Sequence, residues 1–333
     1  MKIFITGVAG FLGSHLADRM LELGHEVSGN DNLLGGYLDN VPKKVDFHQI
    51  DCCDLEKMTT AMAGSDVVIH TAATAHEGLS VFSPAFITRN VFEASVVTIS
   101  AAIQNKVKRF VYCSTMGRYG NQEVPYVEEQ RPLPEDPYAV AKVAAEDILK
   151  LLCDTHGMEW NIAVPHNIIG PRQRYDDPFR NVVSIMINRN LQGKQSIIYG
   201  DGSQTRCFSH VDDCIQCLEK MALDANIVSE IINIGPDEET ITIKEMADIV
   251  AKLCEMPGPH MYMPDRPREV KHASCSADKA RKLLNYETKT SLEESVRQTV
   301  EYVRSRGVKP FDYTYPLEIV SEITPKTWSE RLM

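Results

Sequence analysis

Two kinds of segment alternate along the first half of the chain. Short apolar runs are typical of buried strands, and longer stretches with apolar residues three and four positions apart are typical of helices. The strands predicted in this way are 2–6, 26–30, 45–50, 66–70, 109–114 and 160–164. The predicted helices are 14–23, 55–63, 86–104 and 138–153. Strands that alternate with helices indicate β-α-β units, so we expect an α/β fold with a doubly wound parallel sheet covered on both faces.

The pattern loosens after residue 170, where proline and glycine separate shorter elements. Helices are still predicted at 211–222, 244–254, 277–284 and 292–304. We therefore expect a large sheet domain in residues 1–170 and a smaller α/β domain mainly in residues 171–333. Segments around 207–240 are expected to return to the first domain. The pattern assigns no role to the tail 310–333.

Composition narrows the classes of function. The 333 residues carry 35 Lys and Arg against 46 Asp and Glu, a net charge of −11, which argues against a nucleic acid as partner. No run reaches the roughly 18 apolar residues of a membrane span. The N-terminal segment indicates a strand entering a turn, without the apolar core of a signal peptide. We expect a cytoplasmic protein with no membrane partner.

The nine cysteines indicate neither a disulfide framework nor a metal site. They are scattered, and Cys214 and Cys217 have no second cysteine pair or nearby histidine to complete zinc coordination. We expect buried free thiols and no bound metal.

A glycine-rich turn follows the first predicted strand and opens the first helix. Gly7, Gly10 and Gly13 allow a tight turn, close backbone approach and a helix N-terminus that receives a pyrophosphate. Asp31 follows the second strand, where a carboxylate accepts ribose hydroxyls and repels a 2′-phosphate. These residues predict a dinucleotide site and favour NAD over NADP. The other residues expected to contact the cofactor are Phe11, Leu12, Asn32, Asp51, Cys52, Ala72, Ala73 and Thr74.

A second constellation combines a phenol, an ammonium and a hydroxyl. Tyr138 and Lys142 lie four residues apart and therefore share one face of a helix. The ammonium and a bound cationic nicotinamide should bring the phenol pKa, about 10 in isolation, closer to neutrality. Thr115 closes the fifth strand at the sheet edge where such folds bind ligands, and its hydroxyl can orient a substrate hydroxyl.

Together these motifs resemble the extended short-chain dehydrogenases/reductases, in particular the nucleotide-sugar epimerases and dehydratases. The resemblance covers nearly the whole chain and implies a Rossmann domain that binds NAD and a smaller domain that binds a nucleotide-diphosphate sugar. The residues that carry it are TGVAGFLG (6–13), Asp31, HTAA (70–73), Asn90, STMGRYG (114–120), YAVAK (138–142), HNIIGPRQ (166–173), YGDGSQTRCFSHVDD (199–213), NIG (233–235) and RPRE (266–269).

The resemblance also implies roles for single residues. Tyr138 would be the base, Lys142 would lower its pKa and hold the nicotinamide ribose, and Thr115 would bind the reacting sugar hydroxyl. Asn90 would contact the cofactor. For the substrate, Asn167 would contact the phosphates or the sugar, and Arg206 and Arg266 would clamp the diphosphate, a task that suits a planar bidentate guanidinium. A homodimer built from helices 86–104 and 138–153 is expected from the resemblance alone.

The shared first step of this family is oxidation of the sugar C4 hydroxyl to a ketone. Relatives that dehydrate the sugar place Asp-Glu directly after the Thr, and the decarboxylases carry a Glu near this point, where this chain has Met116 and Gly117. Neither of these side chains transfers a proton. We therefore expect a 4-epimerase that lets the keto sugar rotate and returns the hydride, on a UDP-sugar such as UDP-glucose, UDP-N-acetylglucosamine or UDP-glucuronate.

Several alternatives stay open from sequence. The chain can be a dehydratase, decarboxylase or reductase of the same family, or a catalytically silent NAD-binding sensor. Departures from the family pattern at 163–166, Cys207 and Ser276 leave the sugar undetermined. His76 and His166 can face the sugar or nicotinamide pocket, and Arg118 can bind a negatively charged sugar. Ordinary structural roles are favoured for all three.

Overall fold

The structure is a computed structural model that describes residues 1–333. Its strands are β1 (Lys2–Thr6), β2 (Glu26–Asn30), β3 (Asp46–His48), β4 (Val67–His70), β5 (Arg109–Cys113), β6 (Glu159–Pro165), β7 (Ile168–Ile169), β8 (Ile197–Tyr199), β9 (Thr205–Arg206), β10 (Ser209–His210), β11 (Glu230–Ile234), β12 (Ile241–Thr242), β13 (Met261–Met263) and β14 (His272–Ala273). Its α-helices are α1 (Phe11–Glu22), α2 (Leu55–Ala61), α3 (Glu77–Ser80), α4 (Pro84–Thr88), α5 (Ala94–Gln104), α6 (Pro137–His156), α7 (Val182–Leu191), α8 (Val211–Leu223), α9 (Ile243–Leu253), α10 (Asp278–Leu284), α11 (Leu292–Arg306) and α12 (Lys326–Ser329).

Seven parallel strands form the central sheet in the order β11-β6-β5-β4-β1-β2-β3. The chain runs outward from β1 through β2 to β3, and then returns to the other side of β1 to continue with β4. The direction of winding therefore reverses between β1 and β4, which is the place where open α/β sheets bind ligands beyond the carboxyl ends of their strands.

Alternating side chains of the strands bury the two faces of the sheet. Ile3 and Ile5 point to the face covered by α1, α8 and α10, within a cluster of 26 buried apolar residues. Phe4 points to the opposite face, covered by α2, α5 and α6, within a cluster of 24. The expected Rossmann-type α/β fold is thus confirmed, with one apolar layer on each side of the sheet.

The smaller region packs α7, α9 and α11 into a third apolar cluster. Three short sheets accompany them: β10 with β7, β12 with β9 and β14, and β13 with β8. The tail 310–333 joins a fourth cluster, in which Trp328 packs with Leu79 and Phe82 of the α3–α4 segment. The tail therefore covers the wall that α3 and α4 form.

The predicted elements of the first half all exist, with ends that shift by a few residues. Most strands of the second half and two of its helices carried no prediction, and strand β11 and helix α7 are the most informative cases. Strand β11 pairs in parallel with β6 at the edge of the central sheet. Helix α7 was missed because eight of its ten residues are buried, polar ones such as Asn188 and Arg189 included, so its hydrophobic pattern does not mark an exposed face.

The run Pro84–Gln104 qualifies by length and composition as a membrane span, contrary to the expectation that no segment does. It comprises α4, one π-helical turn over Arg89–Glu93 and α5. Ile87, Val91 and Ile99 are fully buried inside the protein, as in a core helix of an α/β domain.

The cysteines are free, as expected, and all are buried except Cys53, which is half-buried. No group of three or more His, Cys, Asp or Glu side chains is arranged to hold a metal ion.

Candidate active site

One cavity of about 470 Å³ opens at the carboxyl ends of β1 and β4. Its volume is in the range of small-molecule sites. Every residue that the sequence singled out for cofactor, catalysis or substrate lines this cavity. They are Gly7, Gly10, Phe11, Leu12, Gly13, Asp31, Asn32, Asp51, Cys52, Ala72, Ala73, Thr74, Asn90, Thr115, Tyr138, Lys142, Asn167, Arg206 and Arg266.

The glycine turn forms a tight cradle at one end of the cavity. Gly7 has a φ of +68°, and a Cβ on it would lie 2.9 Å from the Cα of Ala72. A Cβ on Gly13 would lie 2.2 Å from the carbonyl oxygen of Gly7. Gly10, at the N-cap of α1, provides no side chain to bond the first N–H groups of the helix. These N–H groups therefore face the cavity and suit an anionic group such as a pyrophosphate.

Asp31 is fixed beside this cradle. Its carboxylate accepts hydrogen bonds from the backbone N–H of Ala9 (3.1 Å) and of Leu33 (2.7 Å). Burial raises its pKa, and these hydrogen bonds oppose that rise by stabilising the charged form. The carboxylate retains lone pairs toward the cavity, so it is able to accept two further hydroxyl hydrogens.

The remaining residues predicted at the cofactor end differ in character. Asn32 donates to Asp51 at 3.4 Å, and Asp51 also accepts from the N–H of Cys53 at 2.8 Å. Cys52 is a buried thiol whose pKa is raised to about 12 by burial, so it is neutral and contributes packing.

Small side chains and a distorted helix complete this end. Ala72 packs directly against the turn, and its N–H donates to the Thr6 hydroxyl at 3.1 Å. Asn90 lies in the π-helical turn and donates to the carbonyl of Phe86 at 2.8 Å. Single π-turns inside α-helices frequently occur at functional sites because they change the direction in which side chains point.

The phenol, hydroxyl and ammonium lie at the centre of the cavity. Thr115 follows β5 and caps a short 3₁₀ helix by accepting from the N–H of Gly117 at 3.1 Å. Tyr138 is in the first turn of α6, which begins after the N-cap Asp136. Lys142, one turn later, donates to the carbonyl of Cys113 at 2.7 Å. The end of β5 and the start of α6 thus hold these three groups together.

Burial shifts the pKa values of both Tyr138 and Lys142. Burial, followed by the negative charges of Glu77 and Asp136, raises the pKa of Tyr138, and a hydrogen bond to Thr115 opposes this only in part. The Lys142 ammonium is held by its hydrogen bond to the Cys113 carbonyl. Burial also lowers the pKa of Lys142 to about 8. The surrounding protein thus raises the phenol pKa, and the lowering expected from Lys142 together with a bound cationic nicotinamide stays a prediction.

The predicted substrate residues lie at the other end of the cavity. Asn167 adopts a left-handed conformation with a φ of +40°, which Asn tolerates, and donates to the carbonyl of Cys207 at 2.9 Å. Arg206 is held by three backbone carbonyls, of Thr205, Val270 and Lys271.

Arg266 is held differently from Arg206. It forms a bidentate pair with Glu269, with the shorter contact at 2.9 Å, and stacks 4.7 Å from the ring centre of Tyr199. Two preoriented guanidinium groups at one end of a cavity suit a diphosphate.

Several charged cavity residues were missed from sequence, among them Glu77 and Arg180. Glu77 begins α3 and faces Tyr138 and the two arginines, while Arg180 lies beside Gly35 at 3.3 Å from its carbonyl and acts electrostatically on Tyr138. Neither lies in a local motif, so no sequence signal distinguishes them from surface charges.

The alternatives for three residues stayed open from sequence. His76 lines the cavity and pairs with Asp177 at 2.7 Å, and both side chains are buried. His166 is fully buried and does not line the cavity. Arg118 also lies outside the cavity lining and pairs with Glu146 at 3.2 Å in the interior.

Comparison with known proteins agrees with this arrangement. Residues 3–235 match the model of the NAD dependent epimerase/dehydratase family. A putative UDP-glucose 4-epimerase of Methanocaldococcus jannaschii is 32% identical over 313 residues, which cover 92% of this chain and 99% of the relative. A UDP-glucose 4-epimerase of Mycolicibacterium smegmatis is 31% identical over 318 residues, 92% of this chain and 100% of the relative.

The chain also matches a solved structure of a UDP-glucose 4-epimerase. The UDP-glucose 4-epimerase of Thermotoga maritima, crystallised with UDP-glucose, superposes with a TM-score of 0.86 at 31% identity, covering 92% of this chain and 99% of that one. The glycine cradle agrees with these matches, as does the group formed by Thr115, Tyr138 and Lys142. We conclude that the chain belongs to the NAD dependent epimerase/dehydratase family.

Proposed function

We propose that the protein is an NAD-dependent nucleotide-sugar 4-epimerase. The observation that carries the proposal is that Thr115, Tyr138 and Lys142 line the same cavity as the glycine cradle and the two arginines. A phenol beside a hydroxyl, between a dinucleotide cradle and a diphosphate clamp, suits reversible oxidation of a sugar carbinol.

The residues present fit NAD. The cradle closes so tightly that a Cβ on Gly7 or Gly13 would overlap backbone atoms, which leaves backbone N–H groups to bind a pyrophosphate. Asp31 would accept the adenosine ribose hydroxyls, and Asn90 and Lys142 would contact the nicotinamide half. When bound, the cofactor takes up the C4 hydride of the sugar, returns it, and adds a positive charge beside Tyr138.

The chain's own side chains carry the proton chemistry. Thr115 accepts or donates a hydrogen bond at the C4 hydroxyl and fixes its direction toward Tyr138. Tyr138 removes the hydroxyl proton as the ketone forms, and gives it back when the alcohol is restored. Because the protein raises the pKa of Tyr138, the phenolate depends on nearby positive charge, which couples proton removal to an oxidised cofactor.

The opposite end of the cavity would hold the nucleotide-diphosphate. Arg206 and Arg266 would bind the phosphates, with Asn167 beside them. Anchoring by the diphosphate leaves the sugar free to rotate, so that either face of the C4 ketone can receive the hydride. We infer a UDP-sugar such as UDP-glucose, UDP-N-acetylglucosamine or UDP-glucuronate as substrate.

We also propose that the protein acts as a homodimer in the cytoplasm. Support for the dimer comes from α6, where Val140 and Leu151 are 50% and 64% exposed. These residues are eleven positions apart, which places them on the same side of the helix. Two exposed apolar side chains on one side of a helix, with the exposed Asp147 between them, suit the rim and centre of a helix-to-helix interface.

The proposal is tested by incubating the purified protein and NAD with UDP-glucose, UDP-N-acetylglucosamine and UDP-glucuronate and identifying products by NMR. We expect the C4 epimer of at least one sugar. A 4-keto-6-deoxy product, or loss of the sugar carboxylate, would replace 4-epimerisation by another reaction of the family.

A further inference from the structure

Arg180, in the segment between β7 and α7, reaches across the cavity wall to the loop that follows β2. It lines the cavity, is half-buried, and donates to the carbonyl of Gly35 at 3.3 Å. The acidic residues nearest to it in sequence are engaged elsewhere, Asp176 by Arg174 and Asp177 by His76. A guanidinium has five N–H donors, so most of those of Arg180 are available to a ligand.

The loop that Arg180 contacts lies directly on the glycine turn. A Cβ built on Gly36 would lie 2.5 Å from the carbonyl carbon and oxygen of Ala9 and 2.8 Å from the nitrogen of Gly10. Gly10 is the N-cap of α1, where the free N–H groups suit a pyrophosphate. Contact with Gly35 therefore places the guanidinium beside the N-terminus of α1.

The charge of Arg180 also acts on two residues at opposite ends of the expected cofactor. Burial is the main influence that raises the pKa of Asp31 and of Tyr138, and Arg180 is among the groups that oppose this rise at each residue. Asp31 would bind the adenosine ribose, and Tyr138 lies where the nicotinamide half would meet the sugar. A cation that acts on both residues lies between the two halves of the dinucleotide, which the pyrophosphate joins.

The other cations of the cavity are placed differently. The Lys and Arg side chains that line it are Lys142, Arg180, Arg206, Arg266 and Arg268. The last three belong to the opposite end, and the ammonium of Lys142 is held at the Cys113 carbonyl. The cofactor end also contains the carboxylates of Asp31 and Asp51. A pyrophosphate brings two further negative charges, and the guanidinium of Arg180 offsets this repulsion.

We propose that Arg180 is a cofactor-binding residue that holds the NAD pyrophosphate together with the glycine turn. Its N–H groups would donate to phosphate oxygens, while the N-terminus of α1 binds the same group. Arg180 comes after β7 and the glycine turn belongs to the first strand and helix, so the cofactor would join two distant parts of the chain. The inference rests on the NAD site of the proposed function and does not depend on which sugar reacts.

Arg172 provides a matched control. It also links the segment after β7 to the sheet domain, through Asp18 at 2.6 Å and the carbonyl of Ser14 at 3.2 Å. It is half-buried like Arg180 but does not line the cavity. Arg172→Met therefore removes a link of the same kind without removing a charge from the cofactor site.

The test measures binding in the absence of sugar. The protein, freed of bound nucleotide, is titrated in a calorimeter with NAD, ADP-ribose and UDP. In Arg180→Met, the Kd for NAD and for ADP-ribose, which share the pyrophosphate, should rise by about 10-fold or more, while the Kd for UDP stays unchanged. Arg180→Lys keeps the charge without the planar fork, so its Kd for NAD should lie in between. Arg172→Met should bind all three compounds like the unmodified protein.

The outcomes separate this inference from the proposed function. An unchanged Kd for NAD in Arg180→Met, or an equal loss in Arg172→Met, overturns the role of Arg180. A loss confined to UDP overturns it as well, because Arg180 would then serve the nucleotide-sugar end. If Arg180→Met does not fold, Arg180→Lys decides, and unchanged affinities for NAD and ADP-ribose in that variant contradict the proposal. A protein that binds NAD through Arg180 but forms no C4 epimer would overturn the proposed function and leave this inference intact.

Discussion

The buried pair between Arg118 and Glu146 gives a quantitative prediction. Their side chains are 2% and 0% exposed, their closest atoms lie 3.2 Å apart, and the Ser114 hydroxyl donates to the same carboxylate. Glu146 is on α6, one turn after Lys142, and Ser114 precedes Thr115. The pair therefore ties the catalytic helix to the end of β5.

Replacement of Arg118 by Met keeps apolar volume but leaves Glu146 without its main partner. Breaking one side of a buried ion pair costs about 3–5 kcal/mol. With an unfolding entropy of about 2.1 cal/mol/K per residue, this corresponds to a melting temperature about 4–7 °C lower for a chain of this length.

The assay is urea denaturation at pH 7 and pH 5, with binding of NAD as a check of the folded state. Burial already raises the pKa of Glu146, and loss of Arg118 raises it further, so the carboxylate can take up a proton in the folded variant. A group with a raised folded pKa loses stability as pH rises, so the deficit of Arg118→Met should be larger at pH 7 than at pH 5. The double variant Arg118→Met, Glu146→Gln should recover part of the loss, since Gln still accepts from Ser114.

A loss below about 1 kcal/mol at pH 7 would refute this reasoning, since it lies outside the range for a broken buried pair. If Arg118→Met has normal stability but a raised KM for UDP-glucuronate, Arg118 would instead bind an anionic sugar.

Three further predictions follow from the same geometry. Tyr138→Phe should reduce kcat by at least about 100-fold while NAD binding, followed by calorimetry, stays unchanged, because only the proton-transferring hydroxyl is lost; normal turnover would contradict the proposed base. His70 is buried in its neutral form, and burial lowers its pKa to about 3. Below about pH 6.5 the unfolded chain therefore binds one more proton than the folded chain. The free energy of unfolding should decrease by about 1.4 kcal/mol for each unit by which the pH is lowered. Urea denaturation of His70→Gln should show a slope shallower by that amount, and equal slopes would disprove it. Leu151→Glu should convert a dimer into monomers in analytical ultracentrifugation, because it replaces an exposed apolar side chain of the proposed α6 interface by a charge; an unchanged mass would exclude that face as the interface.

Local sequence was sufficient for the parts of the site that act through local geometry. The glycine turn predicts its own shape, because Gly7 and Gly13 stand where any Cβ would overlap backbone atoms. Tyr138 and Lys142 are one helical turn apart, so their common face follows from the helix alone. Asp31 follows from its place at the end of a strand beside the turn.

Properties that depend on packing between distant segments could not be predicted. The position of Glu77 beside Gly117 arises only when the segment after β4 folds against the 3₁₀ turn after β5. The raised pKa of Tyr138 has the same origin, because burial, Glu77 and Asp136 come from the tertiary structure. Helix α7 was missed for a related reason, since tertiary packing buries its polar residues together with its apolar ones and leaves no exposed polar face to recognise.

The central claim is that the chain oxidises and re-reduces C4 of a UDP-sugar within one cavity. It is tested most directly with UDP-glucose, UDP-N-acetylglucosamine and UDP-glucuronate that carry deuterium at C4. The account predicts that at least one is converted to its C4 epimer and that the epimer retains the deuterium at C4, because the same hydride leaves and returns. Failure to form any C4 epimer, or loss of the C4 deuterium to solvent, would contradict it.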